Sequence, residues 1–286
     1  MKNYQSLLIG TLCIAFAPIL VKLSQMGAAQ VGLLRCLFGA IAVFLYLKWI
    51  KQNPGEYLKW KYQKIVLLGG LFFMLDLYSW HLSIHIVGAG FATILANTQV
   101  FFAAILSRFL FQERLGKSFI IYASLGLAGI ALLSYPENGI IVGQQGIGII
   151  LGIMAGFLYS CFMMTLKKWN QVTRSHSGVG IFYFSIFTGL WFVPNTAIEL
   201  PSWTFSSQQW LWVILLGVVV HGGGWVFIQN AIKKIPMKNV SLVLLLQPIL
   251  ATTISYYLFD EYMSNQQIAG AALTLFSVYL GSTRST

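Results

Sequence analysis

Apolar runs of about twenty residues follow one another along almost the whole chain, and short polar breaks separate them. A helix needs ~20 predominantly apolar residues to cross the hydrocarbon core of a bilayer, so each run is long enough to span it once. The pattern predicts an all-α integral membrane protein with ten transmembrane helices, called spans 1 to 10 below. The runs lie at roughly 5–23, 31–50, 65–84, 88–111, 118–135, 146–166, 177–196, 209–229, 238–259 and 266–282.

Composition indicates the same class of protein. Of the 286 residues, 57% are hydrophobic and 9% are charged, and the mean hydropathy is +0.75. These values are typical of a protein that lies in a lipid bilayer and not of a soluble domain with a single hydrophobic core. The net charge of +11 comes from cations spread over short loops. This spread favours contact with anionic lipid headgroups, and we expect no nucleic-acid partner.

The basic residues alternate with the predicted spans. If the N-terminus is cytoplasmic, 16 of the 18 Lys and Arg residues fall in or beside cytoplasmic loops. Only Lys22 and Arg35 remain for the outer side. Cytoplasmic loops of membrane proteins carry an excess of Lys and Arg, so we expect both termini to be cytoplasmic.

The cysteines give no sign of a metal or catalytic centre. Cys13, Cys36 and Cys161 lie within apolar runs, without His or Cys at metal-ligand spacing. The sequence also lacks the H-E-x-x-H, G-x-S-x-G and P-loop motifs. We therefore expect no enzyme activity, no cofactor and no metal site.

An internal repeat becomes visible when the two halves of the chain are offset by 148 residues. The stretch Gln99–Ala104 then aligns with Gln247–Thr252, and Phe109–Arg114 aligns with Tyr257–Tyr262. We expect two repeats of five spans, at 1–140 and 141–286. Because five is odd, the second repeat should be inverted in the membrane, and inverted repeats are a transporter architecture.

Several motifs together carry a family resemblance over essentially the whole chain. They are Phe109–Leu115 at the end of span 4, Leu258–Glu261 at the end of span 9, Gln247–Pro248, Lys22 and Arg35. With ten spans and the repeat, the chain resembles the EamA-like branch of the drug/metabolite transporter superfamily. The resemblance implies a multi-pass secondary carrier of the cytoplasmic (inner) membrane, commonly an exporter of amino acids or related metabolites. It also implies a cavity lined by spans of both halves.

Asp76 is the main candidate for substrate binding, because it is an acid near the middle of span 3. A carboxylate at this depth costs at least about 2.5 kcal/mol, so it should face a cavity or a partner and not lipid. Trp80 lies one helical turn further on, and its ring could help bind an ammonium group. The alternatives are a structural hydrogen bond for Asp76 and an interfacial position for Trp80.

His221 is the second candidate, because it stands in span 8 before three consecutive glycines. The repeat aligns Asp76 with Gly224, so both titratable groups should lie at a similar depth. Histidine titrates near physiological pH, which suits proton coupling together with Asp76. The alternative is a packing residue bonded to a carbonyl.

Gln99 and Gln247 correspond to each other in the repeat and could bind a substrate from the two halves. Interhelical hydrogen bonding is the alternative. We expect spans 1, 3, 4, 6, 8 and 9 to enclose the cavity, with spans 1 and 6 included on the resemblance alone. The predicted lining residues are Asp76, Trp80, Gln99, Tyr159, His221, Trp225 and Gln247.

Two functions from different classes follow from this sequence. The first is a secondary transporter that exports a small metabolite, such as an amino acid or amine, by alternating access in exchange for a proton or another cation. The second is a non-transporting membrane subunit or chaperone that keeps the carrier fold. Intramembrane Asp76 and His221 favour the first, since ionisable groups within spans mark ion and substrate pathways.

The charge distribution makes the topology testable. We expect a single cysteine at Glu137 to react with an impermeant thiol reagent in whole cells, and one at Lys59 to react only after the membrane is opened. The background should lack Cys13, Cys36 and Cys161. Labelling of the Lys59 site alone in intact cells would reverse the predicted orientation.

Overall fold

The computed structural model describes residues 2–57, 59–87, 92, 95–134, 145–199, 203–259 and 264–284. Within these ranges every regular element is helical, and the helices form ten runs at the predicted positions. The all-α prediction is therefore confirmed. Glu137 and Glu261, which the topology and repeat arguments use, lie outside the described residues.

The helix bounds are close to the predicted spans, except that most of the predicted start of span 4, at 88–94, lies outside the described residues. Spans 1 to 5 are Lys2–Ala15 with Ala17–Ser24, Ala28–Trp49, Trp60–Val87, Gln99–Phe111 and Lys117–Ser134. Spans 6 to 10 are Gln145–Thr173, Ser177–Glu199, Ser207–Ile232, Met237–Val243 with Leu246–Phe259, and Asn265–Arg284. A short 3-10 helix, Pro54–Tyr57, lies between spans 2 and 3.

Six of these described helices are long and apolar enough to cross a membrane. They belong to spans 1, 2, 3, 6, 7 and 8 and contain 22 to 28 residues. At a rise of about 1.5 Å per residue, each covers at least the ~30 Å of hydrocarbon. The protein is therefore a multi-pass membrane protein.

A proline inside an apolar run predicts a break in the helix, and two spans are interrupted close to a proline. Span 1 breaks at Phe16, and Pro18 then lies in the first turn of its second helix. Span 9 breaks after Val243, and its second helix begins at Leu246 with Pro248 in the first turn. Proline lacks an N–H donor, so it is tolerated in a first turn but disrupts a helix interior.

The described residues form two compact units, and their boundary falls within spans 3 and 6. The first unit contains residues 1–78 and 162–234. The second unit contains residues 79–161 and 235–286. Each unit combines parts of both predicted repeats, and the repeat boundary at 140 stays a prediction.

In the first unit, span 2 packs against span 7 and against the middle of span 8. That middle segment, Leu216–Gly224, is a π-helix and carries His221. The backbones of spans 2 and 8 approach closely at two glycines. A Cβ atom on Gly217 would lie 3.0 Å from the Arg35 carbonyl oxygen, and one on Gly39 would lie 2.5 Å from His221 Cδ2.

In the second unit, spans 5 and 10 pack along each other, and span 6 packs closely against spans 3 and 4. A Cβ atom on Gly152 would lie 2.7 Å from Leu95 Cβ, and one on Gly156 would lie 2.7 Å from the Ala96 carbonyl oxygen. Two glycines four residues apart in the sequence of span 6 predict close helix packing, and the structure confirms this, because only glycine fits at this separation.

Gly39→Ala should lower the stability of the first unit, because the new methyl group displaces the His221 ring or the adjacent Gly217 carbonyl. We expect a loss of about 1–3 kcal/mol, measured by thermal unfolding in detergent. Gly189→Ala is the matched control, since its methyl group would lie 3.4 Å from Cys36 Cβ. That variant should be neutral or stabilised by up to ~1 kcal/mol, and equal effects at both sites would contradict the packing argument.

Candidate functional site

The first unit contains two oppositely charged residues inside membrane-spanning helices. Asp76 of span 3 is 6% exposed, and Arg35 of span 2 is 3% exposed. Their charges interact electrostatically. Asp76 therefore does not face lipid, which agrees with the expectation that a mid-span acid has a partner or a cavity.

Arg35 lies at a position that the sequence does not predict. The charge pattern places it with the outer charges, but span 2 begins at Ala28, so Arg35 is the eighth residue of the helix. Its Nε atom is buried and has no hydrogen-bond partner among the described residues. The charge pattern contains one sign of this position. Arg35 and Lys22 are the only basic residues outside the cytoplasmic bias. Lys22 is exposed near the end of its helix, so Arg35 is the exception that needs another explanation.

His221 lies in the same unit and is 2% exposed. Its Nε2 atom is 2.9 Å from Ser185 Oγ. The Ser185 hydroxyl already donates its proton to the Ile181 carbonyl oxygen at 2.7 Å, so we infer that His221 Nε2–H donates to Ser185. His221 Nδ1 is then an acceptor in the neutral ring, and it has no partner within the described part of the chain.

His221 lies in the π-helical segment of span 8. A π-turn widens the helix by one residue and is frequent at functional sites. The glycines at 222–224 follow His221 and permit this geometry. The charge of Arg35 also acts on His221, so Arg35, Asp76 and His221 form one buried polar cluster in the first unit.

Aromatic side chains pack beside this cluster. Phe73 stacks on Phe162 with ring centroids 4.1 Å apart, and its centroid lies 5.6 Å from that of His221. Trp225 meets both phenylalanines edge to face, at 5.2 and 4.9 Å. Trp225 is only 2% exposed, so its main contact is this aromatic packing, and its role in lining a cavity stays a prediction.

The two predicted glutamines belong to the second unit. Gln99 is 4% exposed, and its Nε2 donates to the Ser241 carbonyl oxygen at 3.2 Å. Ser160 Oγ contacts the Gln99 carbonyl oxygen at 3.0 Å, so Gln99 connects spans 4, 6 and 9. Gln99 Oε1 and Gln247 Nε2 are buried without a partner among the described residues, and both could still receive a ligand.

Trp80 and Tyr159 are also in the second unit, and both are half-buried. The ring of Trp80 lies 5.4 Å from that of His81, measured between centroids. Tyr159 precedes Ser160, the residue that contacts Gln99. The structure thus brings Asp76 and His221 into one cluster in the first unit, and places the remaining polar candidates in the second.

These features define a membrane protein with ionisable groups held inside its spans. The sequence matches the EamA-like transporter family twice, over residues 2–135 and 146–283. The chain belongs to this family and contains two EamA domains, which is the duplicated repeat predicted above. It is a membrane transporter and not a member of an enzyme family.

Several known transporters are similar in sequence. "Uncharacterized transporter YdfC" of Bacillus subtilis is 25% identical over 96% of this chain and 88% of its own length. An "Uncharacterized transporter" of Archaeoglobus fulgidus is 26% identical over 60% of this chain, and the match spans only 59% of that relative. The "Probable amino-acid metabolite efflux pump" of Salmonella typhimurium is 22% identical, and the match covers 67% of each chain.

A solved crystal structure shows the same fold. It superimposes with a TM-score of 0.85 over 99% of this chain and 97% of its own. The sequence identity is 16%, so this likeness concerns the fold alone.

The Arg35–Asp76 interaction can be tested by a double-mutant cycle. Arg35→Gln should lower the stability of the protein, because it removes the positive charge that acts on the buried Asp76. Adding Asp76→Asn should restore part of this loss, with a coupling energy of about 0.5–3 kcal/mol in thermal unfolding. The exposed acid Glu56 provides the control, since Glu56→Gln should be additive with Arg35→Gln. Additivity of the Arg35 and Asp76 variants would show that the two charges do not interact.

Proposed function

We propose that this transporter is a secondary active exporter of a small metabolite that carries an ammonium group, such as an amino acid or an amine. The observation that carries the proposal is the buried Arg35 and Asp76 in the first unit. An amino acid has an ammonium and a carboxylate group at short separation. Asp76 would bind the first, and Arg35 would bind the second through charge-assisted hydrogen bonds.

One relative supports this substrate class by its description. The Salmonella typhimurium relative is described as a probable amino-acid metabolite efflux pump. Its identity of 22% makes this support for the class of substrate and not for a particular amino acid.

The proposed mechanism couples export to protons through competition at Asp76. The charge of Arg35 acts on Asp76. In this proposal a substrate ammonium group or a proton competes with Arg35 for Asp76. A carboxyl group cannot favourably hold a proton and an ammonium ion together, so binding one releases the other.

His221 is the second proton-coupling group in this proposal. Its Nδ1 acceptor lies in the same cluster and can take a proton when Asp76 is occupied by substrate. Protonation would place a second positive charge near Arg35, which opposes binding of a cationic group. The π-helix of span 8 offers a place where the backbone can change between two arrangements during alternating access.

The proposal also includes the topology and the localisation predicted from the sequence. The repeats at 1–140 and 141–286 are inverted, both termini are cytoplasmic, and the protein resides in the cytoplasmic (inner) membrane. Four further residues stay predicted substrate-binding residues and belong to the second unit, namely Trp80, Gln99, Tyr159 and Gln247.

Asp76→Asn tests the coupling, because the amide keeps the shape and removes the charge. We expect purified wild-type protein in liposomes to move labelled amino acids or amines in response to an imposed pH gradient. Asp76→Asn should abolish this pH-driven movement while the protein remains folded. Glu56→Gln is the matched control and should transport like the wild type, since Glu56 is exposed outside the spans.

Two outcomes would contradict the proposal. An unchanged pH profile in Asp76→Asn would make Asp76 structural and would direct the search for the coupling site to His221. Absence of transport by the wild-type protein with every amino acid and amine tested would reject this substrate class.

A further inference from the structure

One threonine of span 7 does not form the hydrogen bond that threonines in helices usually form. Thr188 is fully buried, and its hydroxyl oxygen has no hydrogen-bond partner among the described residues. A threonine in a helix commonly donates its hydroxyl proton to a carbonyl oxygen three or four residues earlier. Six other threonines of the described helices do so, namely Thr11, Thr165, Thr173, Thr196, Thr253 and Thr274.

The neighbours of Thr188 on span 7 show where its side chain lies. Residues three and four apart share one face of a helix, so Thr188 lies next to Phe184 and Ser185 on that face. Ser185 Oγ contacts His221 Nε2 of span 8 at 2.9 Å. The Phe184 ring packs against span 3, because a Cβ atom on Gly69 would overlap it. Thr188 therefore lies between spans 3 and 8, the two helices that carry the acid and the histidine of the buried cluster.

Arg35 of span 2 lies at the same level as Thr188. Spans 2 and 7 run in opposite directions, since the start of each helix contacts the end of the other. A Cβ atom on Gly189 would lie 3.4 Å from Cys36 Cβ, so these two residues face each other. In an antiparallel pair of right-handed helices, the residues just before two facing residues project to the same side. These residues are Arg35 and Thr188.

Span 8 packs on that same side. Gly39 lies one helical turn after Arg35 on span 2, and a Cβ atom on Gly39 would lie 2.5 Å from His221 Cδ2. Arg35 is 3% exposed, and its Nε atom has no partner within the described part of the chain. The first unit thus holds two buried hydrogen-bond donors on one side of the contact between spans 2 and 7, the Arg35 Nε–H group and the Thr188 hydroxyl.

Two neighbouring donors suit a carboxylate, because this group has two oxygen atoms that only accept hydrogen bonds. Hydrogen bonds from arginine to a carboxylate are charge-assisted and therefore strong. An ammonium group has only donors and cannot accept a hydrogen bond from the Arg35 Nε–H group. Buried polar atoms in native proteins are hydrogen-bonded with few exceptions, and such exceptions are often functional.

We propose that Thr188 is a substrate-binding residue that selects for a carboxylate group. Its hydroxyl donates to one carboxylate oxygen, and Arg35 Nε–H donates to the other. This inference rests on the proposed function and narrows it, because amino acids have a carboxylate and simple amines do not. Hydropathy and spacing do not distinguish Thr188 from the other threonines within the spans, so only its surroundings in the folded chain identify it.

Thr188→Val tests this role, because it replaces the hydroxyl with a methyl group of similar size. Purified wild-type protein in liposomes is first tested with the common labelled amino acids. The amino acid with the lowest KM is then compared with the amine that has the same side chain and no carboxyl group. The shift in melting temperature in detergent measures binding of the same two compounds without transport.

We expect the KM for the amino acid to rise about tenfold in Thr188→Val, because one hydrogen bond to a charged group is lost. Thr188→Ser keeps the hydroxyl and should stay within about threefold of the wild type. The amine should bind more weakly than the amino acid, and equally to the wild type and to Thr188→Val. Thr11→Val is the matched control and should leave the KM unchanged, since the equally buried Thr11 hydroxyl donates to the Leu7 carbonyl oxygen at 2.8 Å.

The melting temperature of the ligand-free protein separates a binding role from a structural one. Replacing a buried hydroxyl that has no partner removes a polar group that folding has desolvated. Thr188→Val should therefore melt at the wild-type temperature or above it, although it binds the amino acid more weakly. A lower melting temperature with an unchanged KM would make Thr188 structural and would overturn the inference. If Thr188→Val does not fold, Thr188→Ala against Thr188→Ser gives the same comparison.

The remaining outcomes distinguish this inference from the proposed function. Transport of the amino acid by Thr188→Val with the wild-type KM would overturn the inference and leave the proposed function standing. Equal KM values of the wild-type protein for the amino acid and the amine would do the same. A wild-type protein that transports neither class of compound would reject the proposed function, and the inference with it.

Discussion

The absence of hydrogen-bonding solvent in the bilayer core is the constraint on which this structure depends. Every backbone N–H and C=O group within the hydrocarbon must be paired inside the protein, and helices achieve this within each segment. The same constraint applies to side chains. His221 is bonded to Ser185, and Asp76 lies within range of the opposite charge of Arg35. Placing a polar or ionisable group in the bilayer core costs free energy, so the groups found there usually serve a function.

Close contacts at glycines hold the helices together, because the hydrophobic effect does not drive helix association inside a membrane. Lipid tails are as apolar as leucine side chains, so helices associate in membranes through close van der Waals contact. Gly39 and Gly217 permit this approach between spans 2 and 8, and Gly156 permits it between spans 6 and 4. At Gly39 the close contact is with the His221 ring itself. The contact that packs span 2 against span 8 therefore also fixes the position of His221, the candidate proton-coupling group.

The basic residues of this chain differ in how far they are exposed to solvent. Most Lys and Arg residues lie near or beyond the ends of the helices, where water and lipid headgroups solvate them. Arg35 instead lies within a span and acts on Asp76 and His221. Lys233 holds an intermediate position, because it lies just past the end of span 8 and bonds the Ser175 carbonyl oxygen. These differences in solvation separate the buried charge of Arg35, a proposed substrate-binding group, from the structural contact of Lys233 and from the solvated surface charges.

The sequence by itself determined the number and positions of the helices, the breaks near Pro18 and Pro248, and the packing face at Gly152 and Gly156. Each of these is a local property, readable from hydropathy or from one residue type. Only the tertiary structure decided that Arg35 acts on Asp76, that His221 bonds Ser185 within a π-helix, and that the cluster lies in one unit. In a soluble helix the polar side would have revealed the rotation of the helix. Here the lipid-facing and interior sides are both apolar, so partners depend on packing that the one-dimensional pattern does not contain.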